Sequence, residues 1–481
     1  MFPLQFLRVH AILTIMQMRK RLKRQGEEVI DMKVVKFGGS SLASGKQLEK
    51  VMNIIKADSD RRIVIVSAPG KRNADDSKVT DQLIAFAKAV IAGDPYESIQ
   101  ASILSRYQEI ADELNIQSDV MEKIHTHFRK LLATSFRSPA LLEDAFKASG
   151  EDNHAKLIAA YFNESGLPAR YVSPKEAGIY VTSQPGNASI LPESYNYLFH
   201  LRDNEEVLVI PGFFGYNENE EIITFSRGGS DITGAIVANG VKAELYENFT
   251  DVDAIYAANP NHIDNPEKIY HLTYSEMREL SYSGFSVFHD EALQPAFSAS
   301  VPVHVKNTNR PDGKGTLITR TRPKTNRILS GIASSSGFAS IHITKYLMNR
   351  EVGFIRKLAQ IFEELGLSIE HIPSGVDDMT IVMRRNQLTP GKQAALLYRL
   401  QNELKADDVH MEANLCLIML VGEGMVASVG TTARATQALA DAGINLNMIT
   451  QGSWEISIMF GIEEEKEATA VKVIYDAFFN E

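Results

Sequence analysis

Cysteine is almost absent from this sequence, since Cys416 is the single one among 481 residues. One thiol excludes an intramolecular disulfide and a cysteine-based zinc cluster, and it favours the cytoplasm as the compartment. The twelve histidines show neither HExxH nor another spacing typical of metal ligands, so no metal-ligating residue is predicted. Ser-His-Asp patterns and the HRD and DFG signatures of protein kinases are missing as well.

An excess of positive charge is also lacking, because the formal net charge is -10. This balance argues against a nucleic-acid binder and against attraction to anionic membranes. Phosphate chemistry stays open because it needs only local positive groups. With 44% hydrophobic and 23% charged residues, the composition is that of a soluble globular protein, and the length predicts two to four domains.

No apolar run reaches the length of a membrane span. Residues 2–17 are apolar, but a basic cluster follows this run instead of preceding it, and no small-residue cleavage site appears. Met32 begins a stretch typical of a first core strand. We therefore predict that residues 1–31 are an N-terminal extension. The alternative is a short amphipathic helix packed on the body.

Short β-branched apolar runs alternate with helical spacing between residues 33 and 320. This alternation predicts an α/β layer domain with a largely parallel sheet. Four polar or glycine-rich loops directly follow predicted strands: GGSS, SAPGKR, GFFG and FTDVDA. Ligands of such sheets bind at the carboxyl ends of the strands, so we expect these loops to face one cleft.

An internal repeat fills the C-terminal third of the chain. The segments that begin at Val352 and Val429 align without gaps, 77 positions apart (429 − 352), and glycines recur at equivalent turns. Each copy predicts a helix, a glycine stop and a strand within a βαββαβ unit. The basic, turn-prone stretch 319–327 before the repeat is predicted to be a linker.

Two glycine-rich segments are the leading candidates for chemistry. In KFGGSS, Lys36 places a full positive charge beside backbone N–H groups that can approach a phosphate. This is not a Walker A loop, because five residues separate Gly39 from Gly45. In SRGGSD, Arg227 offers a bidentate fork for a carboxylate, or lies on an incidental surface loop. Asp231 either orients Lys36 or caps the following helix.

Three weaker segments keep alternatives open. Glu151 is predicted in the first turn of a helix, where it is either a dipole partner or a ligand for a substrate ammonium. Thr250 and Asp251 suit a nucleotide base and ribose, or form an Asx-turn. GEGMVA (422–427) is similar to a dinucleotide fingerprint and supports a dehydrogenase alternative. Too little chain follows it for a complete nucleotide-binding half, and it lies inside the second repeat.

Taken in order, KFGGSS, VSAPGKR, KVTDQL, SGE, PGFFG, FSRGGSD and FTDVDAIY resemble the aspartate kinases of the amino-acid kinase family. The resemblance implies an αβα sandwich catalytic domain at 32–325, followed by two ferredoxin-like ACT modules. The first module is expected at 338–408, and the second, interleaved with it, at 328–337 and 409–481. The implied reaction transfers the γ-phosphate of ATP, supplied with Mg2+, to the side-chain carboxylate of L-aspartate. This is the first step of lysine, threonine and methionine biosynthesis.

Site residues follow from the matching positions. In a catalytic set of Lys36, Arg227, Asp231 and Glu151, Lys36 contacts the transferring phosphate and Asp231 holds Lys36. Arg227 grips the α-carboxylate of aspartate, and Glu151 grips its α-ammonium. The positions that match an aspartate pocket are Ser67, Thr80, Glu151, Phe213, Arg227 and Ser230. Those that match ATP contacts are Lys36, Gly38, Gly39, Ser40, Thr250, Asp251 and Tyr256.

The resemblance further implies an amino-acid effector pocket across a dimer interface. The matching positions in the first repeat are Met348, Glu351, Phe354, Ile355, Ser368, Ile369 and Glu370. The apolar members are alternatively simple core. Lysine is the favoured effector because Glu370 offers a partner for an ammonium, with threonine next, and a homodimer or a dimer of dimers is expected.

Two departures from the family pattern concern the nucleotide side. Ser286 stands where many relatives carry a lysine, and residues 259–262 lack the usual acidic and arginine residues. Two other functions remain as alternatives, namely another small-molecule kinase of the same fold and a non-catalytic amino-acid sensor. A fusion with homoserine dehydrogenase is disfavoured by the short segment after the second repeat.

Overall fold

A computed structural model describes residues 32–226, 228–285, 288, 291–323, 327–452 and 456–480. Four subjects of the sequence analysis therefore lie outside the described residues, wholly or in part: the extension 1–31, Arg227, Ser286 and residues 324–326 of the predicted linker. The described chain forms two compact units. The first comprises 32–251, 298–304 and 308–311, and the second comprises 252–297, 305–307 and 312–480. Among the described helices, none has the length and apolar character that crossing a membrane requires.

The first unit is built on a parallel sheet. Its strands are β1 (Lys33–Phe37), β2 (Arg61–Val66), β3 (Ala169–Tyr171), β4 (Val207–Pro211) and β7 (Leu245–Thr250), with a small antiparallel pair of β5 (Phe214–Tyr216) and β6 (Ile222–Thr224). The main strands lie in the order β7-β1-β2-β4-β3. The central strands are nearly continuous runs of buried Val and Ile, as expected of a sheet that is covered on both faces. The predicted α/β class is confirmed.

Among the described residues, eight helices lie wholly within the first unit. They are α1 (Gly45–Lys56), α2 (Val79–Ala92), α3 (Glu97–Glu113), α4 (Val120–Ala133), α5 (Pro139–Glu164), α6 (Pro174–Ala177), α7 (Ser194–Phe199) and α8 (Gly229–Gly240). The centre of the core is aromatic. Phe86 packs edge-on against Phe146 at 4.9 Å and tilted against Phe128 at 6.2 Å between ring centroids. These contacts join α2, α4 and α5 into one layer.

The second unit begins with short elements before its large sheet. They are β8 (Ile255–Tyr256), β9 (Lys268–Ile269), β10 (His271–Thr273), α9 (Tyr274–Tyr282), α10 (Gln294–Ala299), β11 (Val303–Asn307) and β12 (Thr316–Thr319), of which α10 and β11 have residues in both units. Strands β8 and β9 pair antiparallel, whereas β10 and β12 pair parallel. Thr273 and Glu276 form a capping box at the start of α9.

The repeat folds around one five-stranded antiparallel sheet. Its strands are β13 (Gly331–Thr344), β14 (Asp378–Arg384), β15 (Asp408–Val421), β16 (Met448–Gln451) and β17 (Ser457–Glu463), in the order β14-β13-β15-β17-β16. Its helices are α11 (Phe354–Glu364), α12 (Pro390–Asn402), α13 (Thr431–Asp441) and α14 (Glu467–Phe479). Helices α11 and α13 begin 77 positions apart, each after a glycine with φ near +85°, Gly353 (82°) and Gly430 (87°).

The two copies share strands instead of owning separate sheets. Residues 331–335 of β13 pair with 417–421 of β15, and residues 338–344 pair with both β14 and the start of β15. Gly337, with φ of 88°, lies at the irregularity between these halves, where a residue with a Cβ would be strained. The compact units divide at residue 251, not at the predicted limit of 325, and the domain boundaries stay a prediction.

Candidate active site

Lys36 and Asp231 form a nearly buried ion pair at the carboxyl end of β1. Lys36 Nζ lies 2.7 Å from Asp231 Oδ1, and the side chains are 9% and 14% exposed. Asp231 also accepts a hydrogen bond of 2.6 Å from the Asn248 side-chain amide. The N-cap of α8 is Gly228, so the alternative that Asp231 caps this helix is wrong. The pairing orients the Lys36 side chain beside the glycine loop.

Gly38 and Gly39 begin that loop directly after β1. Gly38 N–H donates to Phe249 C=O at 3.1 Å, which fixes the loop to β7. A Cβ at Gly39 would lie 3.0 Å from the Ala68 carbonyl oxygen, so a side chain at this position would force a shift. Ser40 is half-buried in the short 3-10 turn that follows. The loop places half-buried backbone beside Lys36, where a phosphate would approach.

A second loop, Ser67–Gly70, packs backbone to backbone against the glycine loop. Gly70 N–H donates to Gly39 C=O at 2.9 Å, and a Cβ on Gly70 would lie 2.4 Å from the Gly39 carbonyl carbon. Ser67 C=O pairs with His154 Nδ1 at 2.8 Å. Thr80 is half-buried in the first turn of α2, which leaves this loop. The structure thus brings the loops after β1 and β2 together, as predicted.

Glu151 lies in the middle of α5, and the prediction that it belongs to a first helical turn is wrong. The helix begins at Pro139 behind the N-cap Ser138 and continues through Gly150. Glycine lets α5 approach the second loop closely, because a Cβ there would lie 3.0 Å from Ala68 Cβ. A local glycine suggested a helix start, but close packing is its reason here.

The carboxyl group of Glu151 is 5% exposed. Burial raises the pKa of Glu151 to about 8, against the opposing effects of backbone hydrogen bonds and the charge of Lys36. Its Oε2 atom is buried and has no hydrogen-bond partner within the described residues. A buried carboxyl with a free acceptor, in an environment that disfavours its charge, is suited to binding a cationic group.

The loop after β4 packs on the start of α8. Phe213 takes a φ of 78°, and its N–H donates to Thr233 Oγ1 at 3.0 Å. A Cβ at Gly212 would lie 2.7 Å from Ser230 Cβ, so glycine is required for this approach. Ser230 itself is 8% exposed. Phe213 and Ser230 therefore belong to one packed loop and helix terminus, next to the ion pair at Asp231.

The predicted nucleotide contacts are divided between the units. Thr250 and Asp251 end β7 in the first unit, where Thr250 Oγ1 donates to Asp251 Oδ1 at 3.2 Å. Tyr256 lies on β8 in the second unit and pairs with Lys268 of β9. Within the second unit, Asp253 accepts hydrogen bonds from Lys268 at 2.9 Å and Asn307 at 2.7 Å. Thr250, Asp251 and Tyr256 stay predicted ATP contacts.

The predicted effector positions surround the start of α11 and the chain that follows it. Met348 and Phe354 are buried in the core of the first copy, whereas Ile355 is 58% exposed. Glu351 accepts hydrogen bonds from Lys345 and Lys357, and these bonds, together with the two lysine charges, lower its pKa to about 2.

The chain after α11 carries the remaining effector positions. Glu370 accepts a hydrogen bond from the Tyr282 hydroxyl and lies 3.8 Å from Arg384 Nε. Ser368 is exposed and Ile369 is half-buried. Both carboxylates of the set, Glu351 and Glu370, are therefore already engaged in polar contacts.

The glycines at 422 and 424 do not form a nucleotide-binding turn. A Cβ at Gly424 would lie 2.2 Å from the Arg327 carbonyl oxygen, and one at Gly422 would lie 2.4 Å from that of Ile328. Both glycines are thus packed against the preceding chain, where a phosphate has no room. The dehydrogenase alternative has no structural support.

Sequence reasoning did not identify several residues beside the site. They are Arg106, Tyr107, His154 and Asn248. One signal was available, because Arg106 falls on the apolar stripe of α3, in phase with the buried Ile103 and Ile110. A charged residue in such a stripe indicates a buried polar contact.

Comparisons with known proteins agree with this geometry. The amino acid kinase family matches residues 31–307, and an ACT domain matches residues 418–478. Aspartokinase 3 of Bacillus subtilis is 54% identical over 448 residues, which cover 93% of this chain and 99% of that protein. An aspartokinase of Geobacillus stearothermophilus is 26% identical, over 92% of this chain and 96% of its own.

Solved structures lead to the same fold. The crystal structure of Clostridium acetobutylicum aspartate kinase matches with a TM-score of 0.80 and 37% identity, over 93% of this chain and all of that one. Aspartokinase III of E. coli, solved with aspartate and ADP, matches with a TM-score of 0.76 at 21% identity, again over 93% and 100%. The second likeness concerns the fold alone.

Proposed function

This chain belongs to the amino acid kinase family as an aspartate kinase that phosphorylates the side-chain carboxylate of aspartate with ATP, and from that premise we propose a role for each site residue. The observation that carries the proposal is the buried pair of Lys36 and Asp231 beside two packed glycine loops. Buried Glu151, with a free acceptor within the described residues, supports it from the aspartate side.

The nucleophile needs no general base. The side-chain carboxylate of aspartate is ionised near neutral pH, and one of its oxygens attacks the γ-phosphorus while the bond to the bridging oxygen of ADP breaks. The difficulty is to bring one anion to another. Positive charge and backbone N–H groups placed at the transferring phosphoryl group reduce this repulsion most where charge develops in the transition state.

Lys36 supplies that charge, and Asp231 fixes its position. The Lys36–Asp231 distance of 2.7 Å keeps the ammonium at the end of β1, next to Gly38 and Gly39. The N–H groups of Gly39 and Ser40 are the proposed phosphate donors, and Gly38, whose N–H is bonded to Phe249 C=O, lets the backbone approach the phosphate closely. Thr250, Asp251 and Tyr256 bind the rest of ATP, and magnesium enters as the complex of ATP, held by its phosphates.

Aspartate is held at both of its α-substituents. The buried carboxylate of Glu151 pairs with the α-ammonium, and Arg227 pairs with the α-carboxylate through its planar fork. Ser67, Thr80, Phe213 and Ser230 form the remaining walls of the pocket. Binding both groups attached to Cα leaves the side-chain carboxylate as the free nucleophile.

Regulation is assigned to the repeat. Lysine, alone or with threonine, binds at Glu351, Glu370 and the neighbouring positions of the first copy, and the enzyme assembles as a dimer or dimer of dimers through its ACT modules. The product feeds lysine, threonine and methionine biosynthesis in the cytoplasm. The alternative of a non-catalytic sensor is not favoured, because the charged pair Lys36–Asp231 is intact.

Coupled ADP release from purified protein tests this function. With MgATP and L-aspartate we expect turnover that depends on aspartate and is suppressed by L-lysine or L-threonine. Acetylglutamate, glutamate and carbamate serve as control acceptors. Turnover with one of these and not with aspartate would overturn the acceptor assignment. Aspartate-dependent turnover without any effector response would remove the regulatory assignment alone.

A further inference from the structure

Helix α3 sends two adjacent buried side chains to the backbone around the site. Arg106 is 5% exposed and Tyr107 is fully buried. Arg106 Nη2 donates to the carbonyl oxygen of Gly70, and the Tyr107 hydroxyl donates to that of Gly150 at 2.8 Å. Gly70 belongs to the loop after β2, and Gly150 precedes Glu151. Helix α3 therefore contacts the backbone that packs against the glycine loop and also the backbone that precedes Glu151.

Asp76 completes the contact at Arg106. Arg106 Nη1 lies 2.7 Å from Asp76 Oδ2, and Asp76 also accepts hydrogen bonds from Arg72 N–H at 2.9 Å and Nε at 3.0 Å. The planar guanidinium reaches two acceptors at once, the Asp76 carboxylate and the Gly70 carbonyl, which a lysine ammonium on a flexible stem matches poorly. The Arg106 side chain thus connects α3 to Gly70 and to Asp76, which both lie in the segment between β2 and α2.

The fixed loop contacts the phosphate loop without any intervening side chain. Gly70 N–H donates to Gly39 C=O at 2.9 Å, and a Cβ at Gly39 would lie 3.0 Å from the Ala68 carbonyl oxygen, so the two backbones are closely packed. The same loop gives Glu151 a backbone hydrogen bond from Ala68. A displacement of Gly70 would therefore move the phosphate-binding backbone and the ammonium-binding carboxylate relative to each other.

We propose that Arg106 is a positioning residue for phosphoryl transfer, which holds Ser67–Gly70 in register between the glycine loop and Glu151. This inference rests on the proposed roles of Lys36 and Glu151. Arg106 acts through Gly70, and Tyr107 performs the parallel task at Gly150. Buried ion pairs are weak stabilisers compared with well-packed apolar residues, so stability alone does not account for an arginine at this point of an apolar stripe.

The test compares Arg106→Lys and Arg106→Met with Arg129→Met as a matched control. Arg129 lies on the neighbouring helix α4. Its side chain is 67% exposed and forms an ion pair with Glu122. Measured are kcat, the KM values for aspartate and ATP, and the melting temperature. We expect both Arg106 variants to fold and to lose about 30- to 100-fold in kcat, since a misplacement near 1 Å has effects of that order. The two KM values should change by no more than about threefold.

The outcomes separate the inference from its premise. A folded Arg106→Met enzyme with kcat within about threefold of wild type would overturn the positioning role. If that variant does not fold, Asp76→Asn and Tyr107→Phe take its place, and an unchanged kcat in both would have the same meaning. The inference is supported if they lower kcat while melting near the wild-type temperature. Absence of aspartate-dependent turnover in the wild type would reject the proposed function itself.

Discussion

The catalytic cleft and the effector region of the first repeat use charge in opposite ways. In the cleft, Lys36 and Asp231 are 9% and 14% exposed, and Glu151 is 5% exposed. In the proposed effector region, Glu351 is 26% exposed, and its partners Lys357 and Lys345 are 47% and 15% exposed. Removing charges from water is costly and fixes them in one geometry, whereas exposed pairs exchange partners with little change in free energy. The first arrangement suits a transition state, and the second suits a ligand that comes and goes.

The two repeat copies show the same contrast on a smaller scale. At the constant offset of 77 positions, Glu351 corresponds to Ser428 and Glu370 corresponds to Asn447. The first copy thus carries two carboxylates where the second carries neutral polar groups. The proposed effector site therefore predicts that an ammonium-bearing effector binds the first copy and not the second.

Removing the Lys36 ammonium should have the largest effect. We expect Lys36→Ala to lower kcat about 10³-fold or more with a smaller change in the KM for ATP, because the charge acts mainly on the transition state. The matched control is Lys33→Ala, on the same strand and paired with Asp58 at 2.6 Å, which should stay within about threefold. Steady-state ADP release measures both. A near-normal kcat for Lys36→Ala would break the contrast between the two regions.

Glu151 should make aspartate binding depend on pH. Its pKa is about 8 in the free enzyme, so its ionised fraction falls about tenfold per pH unit below that value. We expect the aspartate KM of the wild type to rise about tenfold between pH 7.5 and 6.5. Glu151→Gln should show a high KM that does not vary in this range. A wild-type KM that is flat across the range would contradict the assignment of the ammonium site.

The same group should affect stability with a defined sign. The folded protein holds the Glu151 proton up to about pH 8, whereas the unfolded chain releases it near 4.5. The native state therefore binds more protons in this window, and its stability falls as pH rises from about 4.5 to about 8. Glutamine does not titrate, so the melting temperature of Glu151→Gln minus that of the wild type should become larger as the pH rises from about 4.5 to about 8. A constant difference between the two proteins would show that Glu151 titrates normally.

Glu370 should separate regulation from catalysis. We expect Glu370→Gln to raise the lysine concentration for half-inhibition by about 10-fold or more, since it removes a charge-assisted hydrogen bond. Its kcat without lysine should equal that of the wild type. Asn447→Ala, at the equivalent position of the second copy, should leave lysine inhibition unchanged. Equal effects of the two substitutions would erase the distinction between the copies.

The smallest expected effect concerns the folding contribution of Glu351. Glu351 is 26% exposed and pairs with Lys357, which is 47% exposed, and with Lys345, which is 15% exposed. Pairs at least partly open to water contribute about 0–1 kcal/mol. Glu351→Gln should therefore shift the urea midpoint only slightly. A loss of stability as large as that expected for removing a buried charge would mean that the ion pairs of Glu351 are buried like those of the cleft.

Residues of the cleft could be predicted from the sequence where a charged side chain and the glycines that its loop requires lie next to each other in the chain. Lys36 with its two glycines and Asp231 in SRGGSD are such cases, and the structure joins them across the sheet. The 77-residue offset likewise predicted two helices that begin at equivalent positions. Local patterns suffice for these features because the residues that determine each of them lie within a few positions of one another in the sequence.

Features that depend on distant packing were not predictable in the same way. The continuation of α5 through Gly150 depends on the approach of Ala68, 82 positions earlier (150 − 68). The contact of Arg106 with Gly70 likewise joins different elements. Local glycine rules describe the chain before it folds, whereas these positions are decided by what packs against them.

Strand β13 has a consequence for cooperativity. Because it runs unbroken from Gly331 to Thr344 and bonds to β15 on both sides of Gly337, neither copy can lose its sheet without breaking hydrogen bonds that belong to the other. Hydrogen exchange should accordingly report one opening free energy for the central strands of both copies. We therefore expect two regions that are a duplicated pair in sequence to unfold as a single unit.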